Sequence, residues 1–376
     1  MYFILLRPNS IPKMKGVQRH IITLLHLSLI AAMLSTSFLA TRGFFNDTIT
    51  SKQYGLEIIC LSAGLLFVIT FAFKNQLLFT KIDLLVILFA TWYLVNELFS
   101  DGNYTQMNQI LFGLFLWGLV YMFIRQLSDN TPFIWGVSII WMLVVLLQSG
   151  LGLMQLYGFS TSHHALFDIT GTFHNPGPFS GFVASVLPIA LSIIAFPALV
   201  RDASKTITPS HPVLLAVFIR ALAWTTLIAA ALVLPPTQSR AAWIAGTVGC
   251  LFVLTGHPAI KSTRNNLKRK LLSFTRPMQA LSMLATLLVV LIAGFGLYAM
   301  KKGSADGRVL IWQVTSQLIK QKPIAGHGSG AFAALYINEQ AKWFEAGNEC
   351  MGKRRGSSQA PQLTLPLPAP FQKERR

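Results

Sequence analysis

Residues 133–156 read FIWGVSIIWMLVVLLQSGLGLMQL, 24 positions without a charged side chain. An apolar run of roughly 17 to 25 residues is what a helix needs to cross the hydrocarbon core of a bilayer. In lipid, the helix is the one single-segment structure that satisfies its own backbone N–H and C=O groups. Eight further runs of this kind lie near 20–41, 56–73, 82–99, 107–124, 179–200, 217–235, 241–256 and 279–300. Composition agrees: 53% of residues are hydrophobic, 12% are charged and mean hydropathy is +0.54, whereas soluble domains carry about 25% charge. The sequence predicts an all-α, polytopic integral membrane helical bundle of about nine transmembrane helices within residues 1–300. The first run follows basic residues and ends in FLA, but it exceeds the roughly 7 to 15 apolar residues of a cleaved leader. An uncleaved anchor is expected.

The formal net charge of +18 does not point to nucleic acid, because Lys and Arg are scattered in short clusters between apolar runs. They orient the helices instead. Short cytoplasmic loops carry the excess of Lys and Arg. With the N-terminus inside, the inner segments hold sixteen such residues, from Arg7 to Arg276, and the outer loops before residue 301 hold three, Arg42, Lys52 and Arg240. Everything after the ninth run is therefore expected outside. Cys60, Cys250 and Cys350 are widely spaced and odd in number, which supports neither a disulfide framework nor a metal site.

Four polar stretches fall on the predicted outer side. GTFHNPGPFSGF, residues 171–182, is an uncharged, turn-rich loop between two apolar runs, with His174 and Asn175 ahead of Pro176 and Pro178. His174 reads as a hydrogen-bonding residue at a turn; together with His163 and His164 it makes a poor metal set, and no metal is expected. TQSRAAW, residues 237–243, places Arg240 in a very short turn at a helix start. It is either an interfacial arginine snorkelling to headgroups or a functional cation. GRVLIWQ, residues 307–313, opens a segment in which Leu310 or Ile311, Val314 and Leu318 recur at helical spacing until Pro323. KPIAGHGSGAF, residues 322–332, lacks the Lys-Ser/Thr of a nucleotide loop and reads as a tight turn. Asp83 and Glu97 sit near opposite ends of the third run, too far apart to share a proton relay.

In this order, GTFHNPGPFSGF, TQSRAAW, GRVLIWQ and KPIAGHGSGAF resemble the O-antigen ligase and polymerase family of bacterial inner-membrane proteins, over roughly residues 130–345. The resemblance implies a multi-pass protein of the inner (cytoplasmic) membrane with its N-terminus in the cytoplasm. It would transfer a glycan from an undecaprenyl diphosphate carrier to an acceptor hydroxyl on a saccharide or on lipid A core, in lipopolysaccharide or other polysaccharide biosynthesis. Membrane lipids surround it, and neither nucleic acid nor a cofactor is implied. The family's SR arginine falls on Arg240, and its R-x-x-x-W arginine on Arg308, with Trp312 four residues on. Arg240, Arg308, Trp312, His174 and Asn175 are the expected substrate-binding residues. A guanidinium is always charged and grips phosphate oxygens bidentately, so it can meet the charge of a departing lipid diphosphate.

The resemblance also implies a histidine base late in the outer segment, yet His327 is the last histidine in the chain and its place in the glycine turn does not match. The catalytic residue is therefore unassigned. Residues 301–346 read as the start of a large periplasmic segment, and 347–376 as an irregular, basic, Pro-rich tail that suggests a shortened or frame-shifted end and an inactive product. A lipid-linked glycan flippase or other secondary transporter is the alternative; such proteins place ionisable groups and broken helices at mid-membrane, often with an internal repeat.

Overall fold

The computed structural model describes residues 3–4, 16–41, 47–74, 78–99, 107–125, 131–164, 166–299 and 302–347; the tail at 348–376 lies outside the described residues. Helices dominate: α1 (Gly16–Ser35), α2 (Asp47–Lys74), α3 (Lys81–Leu98), α4 (Met107–Arg125), α5 (Thr131–Leu156), α6 (Pro176–Ala184), α7 (Leu187–Ala195), α8 (Pro197–Ile207), α9 (Pro212–Val233), α10 (Arg240–Thr255), α11 (Pro258–Leu272), α12 (Arg276–Ala299), α13 (Lys302–Gln321) and α14 (Ala331–Glu345). Short 3-10 turns follow α1 and α9, and a two-residue antiparallel pairing joins Phe3–Ile4 to Leu78–Phe79.

Among the described residues, six helical segments are long and apolar enough to cross a membrane: His20–Phe38, Thr48–Thr70, Met107–Arg125, Thr131–Leu156, Pro176–Ala195 and Pro212–Thr237. The runs expected at 82–99, 241–256 and 279–300 are also helical, as α3, α10 and α12, but fall outside this set. α3 carries Lys81, Asp83 and Glu97, and α10 has only 16 residues. Large apolar side chains such as Leu24, Phe89, Leu214 and Phe252 point outward. In water such a surface would drive association; against acyl chains it is the expected exterior.

The chain groups into two compact units, Met1–Leu94 with Thr105–Leu288, and Val95–Tyr104 with Val289–Arg376. The core of the first gathers α5 to α10: Met142, Val145, Phe179, Val183, Val186, Ile219, Ala230 and Val233 are buried together. Small residues let the helices approach, as in membrane bundles generally. Gly152 of α5 shows how closely: a β-carbon there would stand 2.7 Å from Phe179 and 2.8 Å from Val233. A smaller cluster of Ile30, Ala63, Phe123 and Phe133 ties α1, α2, α4 and α5, with the ring of His26 stacked on Phe123 at 4.8 Å.

Two expectations need correcting. The run at 179–200 is not one continuous helix but α6, α7 and α8 in succession. Pro188 and Pro197 lack the N–H that would continue the ladder, and Phe196 takes a non-helical backbone. The segment starts earlier, at Pro176, and α8 lies beyond the candidate span ending at Ala195. Lys52 is likewise not in a loop: α2 begins at Asp47, nine residues ahead of the expected start, and carries Lys52 within it. The polar first turns of α2 remain helical because their side chains find partners, described next.

Candidate functional site

The loop between α5 and α6 rests on two glutamines of α5. Gln155 is buried; its Oε1 accepts from the backbone N–H of Thr170 (2.9 Å) and Gly171 (2.8 Å), and its Nε2 donates to the carbonyls of Gly171 (2.8 Å) and Thr161 (3.1 Å). Gln148, fully buried two turns earlier, donates to Thr172 Oγ1 (2.7 Å) and Ser37 Oγ (3.1 Å). A buried amide costs free energy unless its donors and acceptors are met; loop backbone meets those of Gln155, and the hydroxyls of Thr172 and Ser37 meet the donors of Gln148. Lys52 closes the arrangement: its Nζ donates to the carbonyls of Leu39 (2.6 Å) and Thr172 (2.9 Å) and lies 5.6 Å from the ring centroid of Phe173. Gly171 has φ +55°, and a β-carbon there would meet Phe179 at 2.6 Å, so both conformation and space call for glycine.

This platform sets the start of α6. Asn175 is its N-cap, its Oδ1 accepting from Gly177 N at 2.8 Å, and Pro176 occupies the first turn, where no N–H is needed. His174 precedes the cap and is half-buried. Asn175 is thus a structural residue of the helix start. α10 runs beside α6 and α7 in the same direction: Gly246 faces Ala184 and Leu187, and Gly249 faces Pro188. The N-termini of α6 and α10 therefore open toward the same end of the first unit. Arg240 is the first residue of α10, half-buried, after a 3-10 turn at Pro235–Thr237 that packs against α6. Trp243 Nε1 donates to Leu234 O at 2.9 Å and holds that turn closed, while Gln238 adopts φ +51° to reverse the chain. The positive dipole ends of α6 and α10 and the Arg240 guanidinium share this end, a setting that favours an anion; at α6 the first-turn N–H groups are absent in Pro176 and Pro178 and taken in Gly177, whereas α10 has no side-chain cap.

The second unit carries Arg308 and Trp312. α13 buries Val314 and Leu318 and pairs with α14 through a turn at 322–330; Gln321 Nε2 donates to Glu339 Oε1 at 3.4 Å. Arg308, Trp312, Thr315 and Ile319 recur on one stripe of α13 beside that of Val314 and Leu318, and Arg308 and Trp312 are exposed. Thr315 and Ile319 line a cleft of about 380 Å³ with Asn96, Lys322, His327 and Phe332; Arg308 and Trp312 lie on the same helical stripe but are not among the residues that line it.

The glycine turn takes φ of +68°, +90° and +77° at Gly326, Gly328 and Gly330. His327 Nε2 donates to Leu318 O at 3.0 Å. Glu97, buried at the end of α3, accepts from Ser329 N at 2.8 Å. Asp83, at the other end of α3, instead bonds Thr80, Tyr121 and Arg125. The two carboxylates serve separate contacts.

Of the residues singled out from sequence, His174, Asn175 and Arg240 lie in the first unit, and Arg308 and Trp312 in the second. Gln148, Gln155 and Lys52 were not singled out. The two glutamines are the only amides in the 133–156 run and stand seven apart on one helix face, which was the available signal. Compared with known proteins, residues 225–349 match the family described as O-antigen ligase. No curated protein and no solved structure matches the chain.

Proposed function

We propose, from the premise that residues 225–349 place this multi-pass protein in the O-antigen ligase family, that it moves a glycan from undecaprenyl diphosphate to an acceptor hydroxyl at the periplasmic face. An O-antigen ligase or polymerase type of function, with lipid-linked glycan and polysaccharide acceptors in general, follows from the family. The observation that carries the finer reading is the convergence of Arg240 with the N-termini of α6 and α10 at one end of the first unit. Its electrostatics suit a diphosphate, whose negative charge grows as the glycosyl bond breaks. In the second unit, Arg308 and Trp312 are proposed by themselves as a cationic and aromatic substrate contact, and in the first unit His174 stands beside the start of α6. Proton acceptance from the acceptor hydroxyl is left to a group not assigned among them.

The same reading puts α3, α10 and α12 among nine crossings, with the N-terminus in the cytoplasm of a bacterium and the protein in the inner membrane. A reporter active only outside the cytoplasm should then be active when fused near Gly158, Pro236 or Lys302 and silent near Lys205 or Lys268. An active fusion at Lys268 with a silent one at Lys302 would invert the orientation.

Function itself is tested in sealed vesicles holding the protein, supplied with an undecaprenyl diphosphate glycan and an acceptor saccharide. Glycan should appear on the acceptor without net passage of the carrier-linked glycan across the bilayer. Passage without transfer would instead mark a flippase or transporter.

A further inference from the structure

We infer that α11 is an interfacial helix that binds the anionic headgroups of membrane phospholipid. From Pro258 to Arg276 the chain holds six cations, Lys261, Arg264, Lys268, Arg269, Lys270 and Arg276, and no acidic residue. All of α11's described side chains, Pro258 to Thr263, Asn265, Asn266 and Arg269, are exposed. Its described side chains are not buried in their own bundle, and charges of one sign repel one another, so a counter-surface of opposite charge would stabilise its placement.

The chain supplies the position of that surface. Only Gly256 and His257 separate α11 from apolar α10, and only residues 273–275 separate it from α12. With α10 and α12 among the crossings, as the nine-crossing reading has them, a helix of about 22 Å tethered so closely to both is held at the depth of the headgroups. Ile260, Leu267 and Leu271 recur at i, i+7 and i+11 among the cations, the pattern of helices that lie in the interface with an apolar stripe beneath and Lys or Arg at its flanks. Basic clusters beside membrane helices attract acidic phospholipids, so charge complementarity names the occupant: a phosphate-bearing anionic lipid surface. This binding is independent of glycan transfer, and its failure would leave that reading untouched.

The test is hydrogen exchange of the full chain in nanodiscs of phosphatidylcholine alone and of phosphatidylcholine with phosphatidylglycerol. Exchange across residues 258–272 should slow by about tenfold or more in the anionic discs, and added salt should weaken the effect. The triple variant Lys261→Gln, Lys268→Gln, Lys270→Gln should lose the slowing while α5 exchanges as before, which shows the fold intact. Equal exchange in both lipids, or slowing that the triple variant keeps, overturns the inference. So does the same slowing in phosphatidylcholine discs given inorganic phosphate, which would mark a free-phosphate site instead.

Discussion

In a transfer-competent form of the chain, Arg240→Lys should lower glycan transfer by about 10²- to 10³-fold, equivalent to roughly 2.7–4 kcal/mol of transition-state stabilisation, while membrane insertion and helical content stay as they are. The charge is conserved, so any loss reports geometry. A guanidinium offers five donors in a planar fork that can hold two phosphate oxygens at once, whereas an ammonium is a strongly hydrated point charge. Arg240 stands at the first position of α10, where the chain reverses through Gln238 and the Trp243 bond to Leu234 O closes the turn. Its backbone is therefore fixed, and a shorter or differently shaped head cannot be compensated by moving the helix start. Initial transfer rates measured alongside retention of undecaprenyl diphosphate by the purified protein would separate chemistry from carrier binding. Unchanged rates in Arg240→Lys would make this arginine a snorkelling interfacial anchor. Arg308→Lys should act in the same direction, and full activity there would leave Arg308 as a surface contact of α13.

Gln155→Leu should cost about 3–5 kcal/mol of stability, more than any exposed substitution. Leucine is close in volume, so packing is largely kept and the loss is polar. Three buried backbone groups, the N–H of Thr170, the N–H of Gly171 and the carbonyl of Gly171, all bond Gln155; each group left unmet costs about 1–3 kcal/mol. The loop would gain those bonds back only by opening to water. Thermal unfolding in detergent should shift down, and chymotrypsin should cut more readily at Phe159 and Phe167. Glutamate at the same position keeps the acceptor for the two N–H groups but loses the donor to the carbonyls, so it should fall between. A loop as resistant in Gln155→Leu as in the parent would mean that the platform is held by Gln148 and Lys52 alone.

The turns and helix ends around the candidate residues were legible before the fold was known, because they are written in local signals. Asn175 ahead of Pro176 is a helix-start pattern, and Asn175 does cap α6. Pro323 ends α13 as its missing N–H requires. The glycine turn at 326–330 needs left-handed backbone, and three of its glycines adopt it. Less legible was the break at Ser185–Val186 and again at Phe196, since prolines in apolar runs can also sit in kinked but continuous helices, and neighbouring packing decides which occurs.

Sequence alone determined that the chain is an assembly of membrane helices. Bilayer hydrocarbon is a uniform solvent, and whether some twenty residues dissolve in it depends on those residues and hardly on the rest of the chain. It also carried the resemblance to the O-antigen ligase family, whose model matches residues 225–349. Tertiary structure alone decided what the polar groups inside apolar helices do. Gln148 reaches Ser37, 111 residues away; Lys52 reaches Thr172, 120 away; Glu97 reaches Ser329, 232 away. A buried donor or acceptor must be met by some partner, but which partner depends on the segments that packing brings alongside, and periodicity within one helix holds no record of them.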